Sequence, residues 1–300
     1  MATEINLDEL GRLSAETGFS SKLLEKDYHL TRILQRISEK KIKDLVFKGG
    51  TCLNKCYLVF YRLSENLDFV YNQDVKGKTK LQIKKILDGL RRELMGILDE
   101  LGIKTSKELG KGWKMLTSKE DPKIVGLEVI TNYNSMIDNS VQTIKLEISF
   151  RKKLRNPTRM KAIKHEFIDA LGEPILIKDF EIEVIDLTEN FAEKFRALVI
   201  RKNVAIRDIY DIYFILKNKL AKVDKDLIDL ILVKINENSE KKFTRKDFID
   251  FIKGLESKLS DLNEKEISSL LKSGEIVNVK EMIQMIVKEF ENEKGENRQK

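Results

Sequence analysis

The sequence predicts an α+β protein: a sheet with flanking helices, followed by a helical C-terminal part. Three stretches carry this expectation. Residues 141–150, VQTIKLEISF, alternate cleanly from Thr143 onward. Ile144, Leu146, Ile148 and Phe150 share one face, and Thr143, Lys145, Glu147 and Ser149 share the other, the period of a half-buried strand. Residues 44–71, DLVFKGGTCLNKCYLVFYRLSENLDFVY, read as strand, tight glycine turn, helix and strand. From Thr188 onward the apolar period is helical to the end. The change of period divides the chain into residues 1–187 and 188–300, with no flexible linker and no internal repeat between them.

The N-terminal elements follow in order. Residues 1–19 read as polar. Ser20 or Ser21 caps a helix whose Leu23, Leu24, Leu30, Ile33, Leu34 and Ile37 recur at helical spacing. Glu25, Lys26, Asp27 and Tyr28 on it read as a solvated charged face. The central stretch comes next, its helix expected to run through Tyr57 to Phe60. Residues 80–101 form a long amphipathic helix that Gly102 terminates. Trp113 to Leu116 and Ile124 to Thr131 are strands around an Asp121-Pro122 turn.

The strand at 141–150 is expected to bury its apolar face against helices. Behind it, residues 151–161 carry six basic residues and no acid, among them Arg151, Lys152, Lys153, Arg155 and Arg159. Such a run either grips an RNA backbone or is a solvated basic loop at one end of the sheet. Residues 174–186 hold one or two more strands. Thr188 is the expected cap of the next helix, through Phe191, Phe195 and Leu198, and a further helix carries Ile206, Ile209, Tyr210, Tyr213 and Leu216. Short amphipathic helices continue to about Phe290, and the tail NEKGENRQK is expected to be disordered.

Composition narrows the function. Charged residues make up 35% of 300 positions, above the usual ~25%. The net charge of +7 favours an anionic partner, although an abundance of both signs also fits a lysine-rich surface alone. Two cysteines, Cys52 and Cys56, and two histidines, His29 and His165, have no metal-ligand spacing, which argues against a zinc site. The N-terminus MATEINLDEL is acidic and lacks an apolar core, and no apolar run reaches transmembrane length. A cytoplasmic protein without membrane contact is expected.

The central stretch holds the most chemistry. Gly49 and Gly50 let the backbone approach a bound group without a Cβ in the way. Thr51 falls where a helix N-terminus presents free N–H groups to an anion. Asp68 on the following strand can hold a cation against that anion. The combination suits a nucleoside triphosphate with Mg²⁺.

Gly-Gly-Thr, a helix and then an acidic strand resembles the nucleotidyltransferase superfamily with the polymerase-β-like fold. FKGGTCLNKCY, RLSENLDF, AEKFRAL and RDIYDIY are similar, in that order, to the AbiEii/AbiGii toxin family of abortive-infection, phage-defence toxin–antitoxin systems, over roughly residues 20–215. The resemblance implies a nucleotidyltransferase-type mixed sheet, a helical C-terminal domain and an active site in the cleft between them. It implies a toxin that transfers a nucleotidyl group from an NTP to an acceptor such as tRNA and so blocks translation. It also implies one or two Mg²⁺ ions and a cognate antitoxin that need not bind the toxin directly.

Residue by residue, the resemblance assigns Lys48, Gly49, Gly50 and Thr51 to the nucleotide, and Asp68 and Glu147 to metal and catalysis. It assigns Lys194 to the triphosphate, Asp211 as general base or metal-site carboxylate, and Asp208 as its organiser. Two plainer readings stand beside these: an exposed Glu147 paired with Lys145, and an Arg207–Asp211 salt bridge that fixes helix packing. One position departs from the family pattern, since Asn66 stands where an Asp is expected. Its neutral oxygen still ligates Mg²⁺, with less charge to hold it. Glu65 would point to the opposite strand face. A nucleotidyltransferase acting on a small molecule or protein, or a degenerate nucleotide- or RNA-binding protein without turnover, are the alternatives.

Overall fold

The computed structural model describes residues 4–75, 77–117, 124–150, 153–176, 180–238, 242–261 and 264–296. Two compact units divide the chain, Met1–Ile185 and Asp186–Lys300.

The first unit runs α1 (Leu7–Thr17), α2 (Ser21–Lys40), β1 (Leu45–Lys48), α3 (Gly49–Cys52), a π-helical turn (Leu53–Leu58), β2 (Asn66–Tyr71), α4 (Lys80–Glu100), β3 (Trp113–Thr117), β4 (Ile124–Asn134), β5 (Val141–Ser149), β6 (Arg159–Ala162) and β7 (Glu181–Val184). The seven strands form one mixed sheet in the order β3-β4-β5-β2-β1-β7-β6. β2 pairs parallel with β5 and β1 parallel with β7, while β1–β2, β4–β5, β3–β4 and β6–β7 are antiparallel.

Register gives the sheet two unlike faces. Leu67 stands beside Leu146 and Val129, and Phe69 beside Ile148 and Leu127. These side chains pack under Leu30, Ile33 and Leu34 of α2 and Leu87, Leu90 and Leu94 of α4 in one buried core. A strand alternates faces, so the residues between them, Asn66, Asp68, Lys145, Glu147 and Glu128, line the other side. The alternation from Thr143 onward therefore has the expected meaning.

Several elements differ from expectation. A helix, α1, lies within the polar N-terminus. Asn6 and Glu9 form a capping box at its start, and Leu10 and Leu13 are buried. The helix after Gly49 is α-helical for four residues and then widens into a π turn that stops at Leu58. Val59 and Phe60 follow with φ of 43° and 54°, conformations that a β-branched residue rarely adopts. The basic run does not end in a loop, because Arg159 belongs to the edge strand β6, paired with Val184. Lys153 and Arg155 lie outside any strand, and Arg151 and Lys152 lie outside the described residues. The polar tail expected to be disordered is instead helical through its first five residues, as the last helix runs Val279–Glu296, and only 297–300 lie outside the described residues. Leu154 N–H donates to Asn72 just past β2, at the end of the sheet.

The solvated reading of Glu25–Tyr28 is overturned. Glu25, Asp27 and Tyr28 are buried. Glu25 accepts from the Ser135 hydroxyl (2.7 Å) and the Met136 N–H (2.6 Å). Asp27 takes the buried Lys55 ammonium at 2.8 Å, and Thr31 accepts from the same ammonium at 2.9 Å. Lys26 reaches Glu65 at 2.8 Å. Charge on this helix is spent fastening the β4–β5 turn, the π turn and the approach to β2.

His29, on the same helix, stacks obliquely on Tyr133 with ring centroids 4.1 Å apart. Burial, reinforced by Arg32, lowers its pKa from 6.5 to about 4. The folded protein thus prefers a neutral ring, and the unfolded chain takes up the proton first as pH falls. The stability at stake is full above about pH 6.5 and is lost as pH drops toward 4, by about 3 kcal/mol. Urea unfolding of the parent and His29→Phe across that window should show the flatter profile in the variant.

The second unit is helical: α5 (Leu187–Ile200), α6 (Ile206–Lys217), α7 (Lys225–Ile235), α8 (Arg245–Lys253), α9 (Glu264–Ser268) and α10 (Val279–Glu296). Asp186, not Thr188, caps α5 by accepting from the N–H groups of Thr188 and Glu189. Phe195 meets Phe191, Phe248 and Phe290 edge-on at centroid distances of 5.0, 5.7 and 5.2 Å, the centre of this unit's core. Beside it the Lys234 ammonium is buried against Glu189 and lies 3.3 Å from Glu193. Among the described residues no helix is long and apolar enough to cross a membrane.

Candidate active site

The polar sheet face carries a charged row one residue deep. Lys48 of β1 is in register with Asp68 of β2, Asp68 with Glu147 of β5, Glu147 with Glu128 of β4, and Glu128 with Lys114 of β3. Opposed side chains in a sheet are neighbours on one face. Three carboxylates therefore stand side by side with a lysine at each end. Asn66 lies on the same face, opposite Lys145 in the next row.

Gly49 begins α3 and closes over this row. Its φ is +79°, which an L side chain rarely adopts, and a Cβ placed there would stand 2.5 Å from Asp68 Oδ2. Only glycine lets the main chain lie against that carboxylate. Thr51 is buried, and its hydroxyl donates to the Asn66 carbonyl, which ties the start of the helix to the start of β2. That bond fixes the turn. Glu65 sits in a bend ahead of β2 and is held by Lys26.

Sequence reasoning passed over Glu128 and left Lys145 only as a partner for Glu147. The Lys145 ammonium, reaching over from the next row, lies 2.9 Å from Glu128 and 3.3 Å from Glu147, so the plainer pairing is present. Lys114 holds the other Glu128 oxygen at 2.8 Å. Burial pushes the Glu128 carboxyl up, but the hydrogen bonds from Lys114 and Lys145 outweigh it and hold it below the usual range. The available signal was an acid inside the apolar run IVGLEVI.

Lys194 and Asp211 belong to the second unit. The Lys194 ammonium lies 2.6 Å from Asp211 and 3.0 Å from Asp208, and Arg201 takes the other Asp208 oxygen. Both aspartates are buried and Lys194 is 8% exposed. Arg207 reaches Glu266 at 3.7 Å, so helix packing here uses Lys194 as the partner of Asp211.

Sequence comparison decides the family. The family described as nucleotidyl transferase AbiEii toxin, type IV toxin–antitoxin system, matches residues 32–290. The chain belongs to the AbiEii nucleotidyltransferase toxin family. No curated protein sequence matches it. Among solved structures it is similar to MenT4, a nucleotidyltransferase toxin from Mycobacterium tuberculosis H37Rv. That match has 18% identity and a TM-score of 0.62, and covers 96% of this chain and 89% of that one. It is also similar to JHP933 from Helicobacter pylori, at 18% identity and a TM-score of 0.51, covering 93% and 98%. These likenesses are of fold, and the mixed sheet with flanking helices is the nucleotidyltransferase toxin fold. As an AbiEii toxin the chain is a nucleotidyltransferase of a toxin–antitoxin system, with an NTP as substrate and an antitoxin as partner.

Proposed function

We propose that this AbiEii toxin transfers a nucleotidyl group from a ribonucleoside triphosphate to tRNA and thereby blocks translation, in the setting of phage defence. The observation that carries the site is the register of Asp68 beside Glu147, with the Gly49 backbone packed onto the Asp68 carboxylate. All donors here are hard oxygens. Mg²⁺ takes one or two protein carboxylates and completes its octahedron with water and phosphate, so the residues present fit it. Among the described residues no group of three His, Cys, Asp or Glu is arranged to hold a metal.

In this reading the N–H groups of Gly49 and Gly50, with Lys48 beside them, hold the triphosphate. Asp68 and Glu147 would hold Mg²⁺, to which Asn66 would add a neutral oxygen. Bound metal neutralises charge on the attacking and leaving oxygens. An acceptor hydroxyl attacks the α-phosphorus, pyrophosphate leaves with the electrons of the broken P–O bond, and the hydroxyl proton passes to a carboxylate. By family resemblance Asp211 is that base and Lys194 contacts the triphosphate. Lys153, Arg155 and Arg159, with Arg151 and Lys152, are assigned to the RNA backbone. The antitoxin need not touch the toxin.

Label transfer tests this directly: protein, Mg²⁺, total tRNA and each α-³²P-labelled NTP in turn. Labelled tRNA is the expected result. Label on a small molecule or protein instead would reassign the acceptor. NTP binding without label anywhere would favour a non-catalytic binder, the outcome that Asn66 argues for.

Asn66→Asp restores the family's second carboxylate on this strand. It is expected to lower the Mg²⁺ concentration for half-maximal rate by about five-fold, since an added charge near a partly exposed cation contributes about 1 kcal/mol. An unchanged Mg²⁺ titration would mean that the missing carboxylate is irrelevant.

A further inference from the structure

A cation from the neighbouring row reaches into the carboxylate row. Lys145 lies between Glu128 and Glu147, and the two contacts are unequal. Glu128 is 7% exposed, accepts from Lys145 at 2.9 Å and is fixed from its far side by Lys114. Glu147 is 32% exposed and stands farther off, at 3.3 Å. One acid anchors the ammonium, and the other is loosely held and faces solvent. Glu147 is also the acid in register with Asp68, and Glu128 is one strand farther from it.

We propose that Lys145 is a built-in counter-ion of the site, a positioning residue anchored on Glu128 that competes with a divalent cation for Glu147. This inference rests on Asp68 and Glu147 being the metal-holding pair. Three acids packed along one sheet row repel one another, and like charges directly opposed across strands destabilise the pairing. Lys145 removes that cost in the resting protein. Its anchor on Glu128 lets Glu147 turn to a metal without leaving the ammonium stranded. Glu128 is thus tied to the site through Lys145, although it touches neither metal nor substrate.

The two residues should shift metal affinity in opposite directions. The test is calorimetric titration of the EDTA-treated full chain with Mn²⁺ alone, on parent, Lys145→Met, Glu128→Gln and Asp68→Ala. Lys145→Met removes the competitor and should tighten Mn²⁺ binding roughly five-fold. Glu128→Gln removes the anchor, leaves the ammonium to Glu147 alone, and should weaken binding by a similar factor. Thermal unfolding of each variant without metal confirms that it folds.

Opposite shifts support the inference. No shift in either variant, or shifts of the same sign, overturn it, since a general distortion of the sheet moves both the same way. Asp68→Ala separates this from failure of the site itself. Parent binding that Asp68→Ala abolishes keeps the metal pair whatever Lys145 does. A parent that binds no Mn²⁺, or an Asp68→Ala variant that binds like the parent, removes the metal pair and the inference together.

Discussion

Asp68→Ala should lower nucleotidyl transfer about 1,000-fold while leaving the fold intact. Metal contributes several kcal/mol of charge stabilisation in transfers of this kind, and each 1.36 kcal/mol is a factor of ten in rate. Losing about 4 kcal/mol of it gives the stated effect. The Asp68 side chain is on the polar sheet face and not among the core residues beneath, so the change removes chemistry more than packing. A paired variant makes the argument sharper. Gly49→Ala keeps every carboxylate but puts a methyl 2.5 Å from Asp68 Oδ2 at a backbone φ of +79°. The left-handed conformation alone costs an L residue about 1–2 kcal/mol, and relieving the overlap must displace either the turn or the carboxylate. Transfer should therefore fall by two orders of magnitude or more in Gly49→Ala, with a melting temperature a few degrees below the parent. Initial rates of label transfer and thermal unfolding, measured side by side, check both variants. Full activity in either would place the reacting triphosphate somewhere other than this turn.

Local pattern made part of this site legible and long-range pairing hid the rest. Gly49, Gly50 and Asp68 are within 20 positions of each other, and the strand–glycine–helix–strand reading needs only neighbours in the chain. Glu147 lies on a strand whose alternation is visible in ten residues. Its placement beside Asp68 is a fact of register, which no local pattern specifies. The role of Glu128 was hidden for the same reason. It interrupts an apolar run on β4, and its meaning appears only when β4, β5 and β3 are side by side. The charged helix segment Glu25–Tyr28 was misread because its partners, Ser135, Lys55 and Glu65, are distant in sequence. Charge on a helix is solvated unless a partner arrives by tertiary contact. Strand β6 is only four residues long, with Arg159 and Lys161 on one face and Met160 and Ala162 on the other, and Met160 is exposed, so its own residues announced it weakly. The capping box at Asn6 and Glu9 was a local signal for α1 that the sequence reading did not use, and two buried leucines are a faint core signal.

Lys194→Met should lower the unfolding free energy by about 3–5 kcal/mol, a stability effect that must be measured before any activity is interpreted. Lys194 is the family's triphosphate lysine by resemblance, yet its ammonium already sits against Asp208 and Asp211, both buried. Removing one partner of a buried ion pair leaves charge uncompensated in a poorly solvated place, and that is where the large cost arises. Arg201 continues to hold Asp208, while Asp211 loses its 2.6 Å contact with the ammonium. The sign of the coupling follows. Asp211→Asn alone should destabilise, because it strips the ammonium of a carboxylate. Asp211→Asn added to Lys194→Met should restore at least ~1 kcal/mol, because it removes the stranded charge. Urea unfolding of the parent, both single variants and the double variant completes the cycle. With that coupling, Lys194→Met alone says nothing about triphosphate contact. The informative comparison becomes the double variant against Asp211→Asn at matched stability, with any remaining difference read in KM for the NTP. If Lys194→Met is instead as stable as the parent, the ion cluster contributes nothing to the fold, and Lys194 is held in place for its substrate.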